Sequence, residues 1–454
     1  MNTPVADFTR AYAASGAARL HMPGHKGVPF LGCEPLDITE IAGADSLYEA
    51  SGIIAESEQN AAALFGSART FYAAEGSSQC IRAMLALAVW RAGPRPVILA
   101  ARNVHKAFLY AAALLDFDVV WLWPEGERRS LCACGVTPEV LERTLAGLSV
   151  PPAAVYVTSP DYLGGQTAVA ALAETAHRHG VPLLVDNAHG AYLRFLTPSA
   201  HPLDLGADLC CDSAHKTLPV LTGGAYLHIG GGAPASFRED GRRALSLFGS
   251  TSPSYLILQS LDLCNRYLAE DYPKRLAETV QCLEVLRTQL RRRGWTVWET
   301  DPLKLTIDCA ASGWDGFALS RKLRESGILC EYCDGDDLVL MWTPENRDAD
   351  YARLLTCLEG NSRPPRPRPP LPAAQGGTVC SIREALFAPH ETVPAAESLG
   401  RVCGAPTVAC PPAIPIAVSG ERIGPEAAEL FVRYRVEQVE VLRETPGREK
   451  GNHV

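Results

Sequence analysis

Ser213-Ala214-His215-Lys216-Thr217 is the stretch on which the fold turns. It follows the short, mainly apolar run 207–211, which reads as a buried strand. The lysine therefore sits just past the carboxyl end of a strand. Upstream, Pro182-Leu-Leu-Val-Asp186 is a second strand of the same kind. It ends on an acid and runs into Asn187-Ala188-His189-Gly190. Two strands thus bring an amine and a carboxylate to the same kind of position.

The alternation continues on either side. Thr70-Phe-Tyr-Ala-Ala-Glu-Gly76-Ser77-Ser78 runs from a short strand into a small-residue turn. The helix after it carries Ile81, Met84, Leu85, Ala88 and Val89 at i, i+3, i+4, i+7 and i+8, and stops at Gly93-Pro94. Gly76-Ser77-Ser78 is then a helix N-terminus, where free N–H groups, the dipole and two hydroxyls suit a phosphate dianion. The plainer reading is a serine that caps the helix. Further strands are predicted over 97–101, 118–122, 153–158 and 224–229. Helices are predicted over 56–65 (closed by Gly66), from the loop Arg102-Asn-Val-His105-Lys106 to about Asp116, from Thr137-Pro138, and over 168–179.

Short apolar strands alternating with helices predict an α/β chain built on a mostly parallel, doubly wound sheet. Such sheets bind ligands beyond the carboxyl ends of their strands. Gly76 to Ser78, His105, the loop 159–162, Asp186 to His189 and Ser213 to Lys216 all fall at those ends. A lysine and an aspartate placed there are the minimal equipment for pyridoxal phosphate (PLP). The amine forms an imine, and the carboxylate keeps the ring nitrogen protonated so that the ring can take up electrons.

Beyond 253 the pattern changes to long helices (254–268, 274–293), a strand at 303–308, a helix at 315–325, a strand at 338–342 and a helix at 347–358, a smaller α+β unit. The proline-rich run 361–372 reads as a stiff extended linker, with an SH3-type ligand as the other reading. A C-terminal module begins near 381, includes Cys410-Pro-Pro-Ala-Ile-Pro415 and Ser419-Gly-Glu421, adds a helix from Pro425 and ends in a charged tail. The expected organisation is an N-terminal arm (1–45, with 1–32 as loop), a PLP-binding large domain (46–253), a small α+β domain (254–360), a linker (361–375) and a C-terminal module (376–454).

Composition bounds the class. A chain of 454 residues, 47% hydrophobic and 20% charged, fits a globular enzyme of several domains. A net charge of -9 argues against nucleic acid and anionic membranes as partners. No signal segment opens the chain and no apolar run is long enough to span a bilayer, so a cytoplasmic location is expected, with its 15 cysteines reduced. No metal site is expected. Cys132-x-Cys134 lacks a second ligand pair, and His177-x-His179 lies on a helix where residues two apart do not share a face.

The ordered motifs together carry a family likeness. His21-Met-Pro-Gly-His-Lys26, Gly76-Ser77-Ser78, Arg102-Asn103-Val-His105-Lys106, Asp186-Asn-Ala-His189-Gly190, Ser213-Ala-His215-Lys216-Thr217, Thr251-Ser252-Pro253 and Pro411-Pro-Ala-Ile-Pro415 with Gly420-Glu421 resemble the Orn/Lys/Arg decarboxylases of PLP fold type I (aspartate aminotransferase-like), in their short bacterial form. The resemblance implies roles. Lys216 would be the Schiff-base lysine, Asp186 the partner of the ring nitrogen, His105 the ring stacked on one face and Ala188 the packing on the other. Gly76, Ser77, Ser78 and Ser213 would hold the phosphate, with His215 at phosphate or substrate. His189 joins the cofactor-binding set. Ser250 would reach the phosphate of a neighbouring subunit, implying a homodimer. Asp161, Glu75, Ala107 and Ala413 depart from the family pattern, and the first two bear on the substrate pocket.

The activity implied is decarboxylation of a small-molecule basic amino acid (lysine, arginine or ornithine) to its amine and carbon dioxide. Another PLP reaction, transamination or side-chain elimination, is the alternative, because sequence cannot show which Cα bond is held perpendicular to the ring. A non-catalytic PLP-binding protein is the third reading.

Overall fold

The computed structural model describes residues 1–126, 128–133, 135–360, 363–409 and 414–444. Seven strands form the central sheet: β1 (Arg69–Ala73), β2 (Val97–Ala101), β3 (Asp118–Leu122), β4 (Ala154–Thr158), β5 (Leu183–Asp186), β6 (Leu209–Asp212) and β7 (Ala225–Ile229). Their order is β1-β7-β6-β5-β4-β2-β3. β7 runs antiparallel to both neighbours, and the pairs from β6 across to β3 are parallel. The sheet is the mostly parallel one expected. β5, β6 and β7 are buried along their whole length, which is why their sequences are mostly apolar.

Helices cover both faces. On one, Gly76–Val89, Lys106–Leu115 and Ala235–Ser246 lay Ile81, Met84, Phe108 and Phe237 against Ile98, Leu209 and Leu227. On the other, Pro138–Gly147 and Val169–Arg178 lay Leu141, Leu172 and Ala176 against Leu99, Val155 and Leu183. Local chemistry sets the ends. The Thr137 hydroxyl accepts from Val140 N at 3.3 Å while Pro138 fills the first turn. Gly66 closes Ile53–Phe65 at φ +66°.

Register brings the strand ends level. Thr158 pairs with Asp186, and Asp186 with Cys211, so β4, β5 and β6 release their loops along one edge. A second sheet, β8 (Lys304–Asp308), β9 (Tyr332–Cys333) and β10 (Asp337–Met341), is antiparallel in the order β8-β10-β9. Two short pairs follow, β11 (His390–Pro394) with β14 (Gln438–Leu442) and β12 (Thr407–Ala409) with β13 (Ile414–Ala417). Cys134, the stretch 410–413 with the Ala413 departure, and the tail from 445 lie outside the described residues.

Two helices depart from the expectation. The arm over 1–32, read as a loop, opens with the helix Pro4–Ala14, anchored by Ala6 N to Asp262 Oδ2 at 2.9 Å and by Val5, which is fully buried. Ala235–Ser246 was not foreseen either. Its Gly241 lies where a Cβ would meet the Phe71 ring at 2.4 Å, so the helix carries the glycine to pack close on the sheet.

The proline-rich run is clamped in place rather than standing free. Arg366 pairs with Asp336 at 2.6 Å, Arg368 with Asp337 at 2.8 Å and Asp308 at 2.9 Å, and Arg433 donates to Pro369 O at 3.0 Å. The C-terminal segment is tied to the large sheet by Arg102, whose Nη2 donates to Glu421 Oε2 at 2.9 Å with both side chains buried. Glu421 also accepts from Val418 N at 2.9 Å. Removing one partner leaves a buried charge uncompensated, so Glu421→Ala is expected to cost about 3–5 kcal/mol, read by urea unfolding. Among the described residues no helix is long and apolar enough to cross a membrane.

Candidate active site

The carboxyl edge of the sheet opens onto a cavity of about 270 Å³. Lys216, from the short helix Ala214–Thr217 after β6, and Asp186, the last residue of β5, both line it. So do Gly76, Ser77 and Ser78 at the start of a helix, His105, Ala188, His189, Ser213 and His215. A volume of this size lies at the low end for small-molecule sites and suits one compact group. Ser250 is not in the wall. Its N–H is held by the Glu75 carboxylate beside the serine turn.

One end of the cavity is built to hold an anion. Gly76 adopts φ +71° and donates to Gly223 O at 2.7 Å, which starts the helix and leaves the following N–H groups facing inward. The Ser213 hydroxyl donates to Ser77 Oγ at 2.7 Å, and His215 Nδ1 lies 3.1 Å from Gly224 O.

The same cavity holds a buried carboxylate. Asp186 accepts from Ala188 N at 3.1 Å, Tyr156 OH at 3.2 Å and Cys211 Sγ at 3.6 Å. Burial pushes its carboxyl up from the usual range, opposed first by the Lys216 charge. The three groups in contact with it are neutral donors, so the ionised form lacks a directly bound cation.

Lys216 Nζ lies 3.1 Å from His189 Nε2. Burial lowers the lysine, opposed by Asp186 and then by Glu331. Burial, then the lysine charge, drives His189 well below the ordinary imidazole range, so it faces the lysine as a neutral ring. His105 accepts from Ala107 N at 3.2 Å, which fixes its ring at a helix start. Burial, then Lys216, lowers its pKa to about 4, so the ring stays neutral down to about that pH.

Several wall groups carry no assigned role from the sequence, although Asn103 belongs to a quoted motif and Tyr162 to the loop 159–162 at a strand end. Asn103, Thr158 and Tyr162 line the cavity, and Asn103 Oδ1, Thr158 Oγ1 and His189 Nδ1 are buried without a hydrogen-bond partner. Tyr162 stands edge-on to His189 with ring centres 4.8 Å apart and donates to Glu331 Oε1 at 2.5 Å. Only structure could reveal Glu331, because it comes from the bend that leads into β9 of the second sheet. Asp161, expected to bear on the pocket, turns away from it. Its carboxylate accepts from Leu163 N and Gly165 N, each at 2.8 Å, closing its own loop.

The residues present fit PLP on these observations. One cavity wall holds a buried carboxylate that could pair with a protonated ring nitrogen, a helix start with serine hydroxyls that could take a phosphate, an amine, and polar atoms that have no partner among the described residues.

Solved structures share the architecture. The constitutive lysine decarboxylase of E. coli superposes with a TM-score of 0.78 at 17% identity, covering 97% of this chain and 82% of its own. The Francisella novicida lysine decarboxylase LdcF superposes with a TM-score of 0.79 at 17% identity, covering 97% and 81%. At such identities the likeness speaks for fold, and the class it defines is PLP fold type I. Sequence carries the identification further. Residues 3–299 match the family model "Orn/Lys/Arg decarboxylase, major domain", and the chain belongs to that family. The uncharacterized protein YaaO of Bacillus subtilis is 30% identical over 459 residues, spanning 95% of this chain and 94% of its own. An arginine decarboxylase of the same organism is 29% identical over 462 residues, spanning 93% and 92%.

Proposed function

We infer that this chain is a PLP-dependent decarboxylase that converts a basic amino acid to its amine and carbon dioxide. The observation that carries the reading is the convergence, in one cavity of a chain of this family, of Lys216, Asp186, His105 and the serine turn. When bound there, PLP supplies an electron sink for the pair left on Cα as carbon dioxide departs.

The residues do the rest. Gly76, Ser77, Ser78 and Ser213 hold the phosphate end through N–H groups and hydroxyls, with His215 beside them. Asp186 keeps a proton on the ring nitrogen, and Tyr156 orients that carboxylate. His105 and Ala188, both in the cavity wall, would pack against the ring, and Lys216 would hold the cofactor and can return a proton to Cα. His189, neutral and 3.1 Å from Lys216 Nζ, can accept a hydrogen bond from the lysine and orient it.

Glu331 receives the cationic end of the substrate. Its charge acts on Lys216, and it is bonded to the cavity wall through Tyr162. Glu331→Gln is expected to raise KM for the basic substrate about tenfold with little change in kcat, the loss of one charge-assisted contact made equally in ground and transition states.

Ser250, absent from the wall of its own chain's cavity, serves the partner subunit in a homodimer of cytoplasmic enzyme. Sedimentation of the purified chain tests the dimer. The activity is tested with lysine, arginine and ornithine in the presence of PLP. Amine and carbon dioxide are the expected products. A keto acid in their place would assign a transaminase instead.

A further inference from the structure

Cys330-Glu331-Tyr332-Cys333 sets two thiols around a pair of residues that reach the cavity wall. The chain bends at Glu331 and enters β9, a strand of two residues, held to β10 by Glu331 N to Val339 O at 3.0 Å and by the pairs Tyr332–Val339 and Cys333–Leu338. So short a strand has little pairing to lose. Both cysteines are half-buried and reduced, unlike Cys80, Cys210 and Cys211, which lie wholly within the core.

The two sulfurs share a small cluster. Ser320 Oγ, from the helix Gly316–Glu325, lies 3.2 Å from Cys330 Sγ. The neighbouring Cys333 thiol, more than any other influence, draws Cys330 down to about 6. Cys333 is pushed up, first by Cys330 and then by burial. One sulfur is thus a thiolate near neutrality and its neighbour a thiol, the arrangement of an attacking and a resolving cysteine.

What lies between them is tied to the chemistry. Glu331 accepts from Tyr162 OH at 2.5 Å, and the Tyr332 ring stands edge-on to Tyr162 with centres 5.5 Å apart. Tyr162 in turn packs on His189, the neighbour of Lys216. A change of backbone at 331 and 332 therefore reaches the cavity through two contacts.

We propose that Cys330 and Cys333 form a reversible disulfide that draws Glu331 and Tyr332 away from Tyr162 and so weakens substrate binding; the kinetic consequence, though not the disulfide, rests on the reading of the cavity given above. The oxidant is a small-molecule disulfide. The Cys330 thiolate attacks one of its sulfurs, forming a mixed disulfide and expelling one thiolate. Cys333 gives up its proton and attacks the Cys330 sulfur, expelling the second thiolate. Two protein thiols are oxidised, and one small disulfide is reduced to two thiols once the leaving groups take up protons. Closure requires Cα atoms within about 7 Å and a fixed Cβ–S–S–Cβ torsion, which imposes one backbone bend on Glu331 and Tyr332.

The test compares the full chain with PLP under dithiothreitol and under oxidised glutathione. Oxidation is expected to remove two hydrogen masses from the peptide holding residues 330–333 and to raise KM for the basic substrate about tenfold, reversibly with dithiothreitol. Cys330→Ser and Cys333→Ser are expected to keep the reduced activity and lose the response. A peptide that stays reduced, or a 330–333 disulfide that leaves KM unchanged, overturns the proposal. A reduced chain that releases no carbon dioxide instead sinks the assigned reaction, and the mass measurement still decides whether the disulfide forms.

Discussion

Lys216→Ala protein is expected to fold, to bind PLP without the visible absorbance of a lysine-bound cofactor, and to release carbon dioxide about 10⁴-fold more slowly, the upper end for removing a positioned general acid–base. The size of the effect follows from the two tasks that meet in one nitrogen. Lys216 holds the cofactor in the resting enzyme and later protonates Cα. Its environment serves both. Burial lowers its pKa, which favours the nucleophilic amine, and neutral His189 at 3.1 Å can orient it through a hydrogen bond. Folding is expected to survive because the side chain lines a cavity instead of filling the core, so its loss opens no packed space. The serine turn stays intact, so the cofactor still binds through its phosphate. The measurements are an absorbance spectrum and a carbon dioxide assay on the same preparation. A variant that kept both the visible band and turnover would place the reactive amine elsewhere.

The large sheet was legible because its signals are local. β1 to β7 are short apolar runs with polar ends, and capping residues such as Thr137 and Gly66 announce helix limits. Elements without those signals were missed. Pro4–Ala14 lies in a segment whose later residues are turn-rich, and Ala235–Ser246 is polar with a glycine in its middle. That glycine is explained only by the Phe71 ring beneath it. Antiparallel β7 was likewise invisible, since direction depends on which strands become neighbours.

The site divides in the same way. Ten residues marked from strand ends line one cavity, because the chain carries each of them past the edge of a parallel sheet. Tyr156 was not marked. It lies inside β4, and its bond to Asp186 exists only because β4 and β5 are adjacent. Glu331 lies beside a different sheet, in the bend before β9. Asp161 misled because sequence shows an acid at a strand end but not that two backbone N–H groups of its own loop claim it.

Asp186→Asn is expected to slow turnover about 10²–10³-fold, the usual cost of removing one preorganised electrostatic contact to developing charge. The same change is expected to raise the melting temperature of the PLP-free chain at neutral pH. Burial lifts the Asp186 pKa above its unfolded value. The folded PLP-free chain therefore holds the proton more tightly than the unfolded one, and its stability falls as pH rises through the interval between the two values. An asparagine of the same shape has no charge to desolvate, so that penalty disappears. With PLP bound, a protonated ring nitrogen would compensate the carboxylate, and the order is expected to reverse, the wild type gaining more from PLP than the variant. Melting curves of both proteins with and without PLP, beside kcat, separate this role from a structural one. An aspartate that merely braced the fold would make the variant less stable in both states, and a gain only without PLP is what a counter-charge for the cofactor requires.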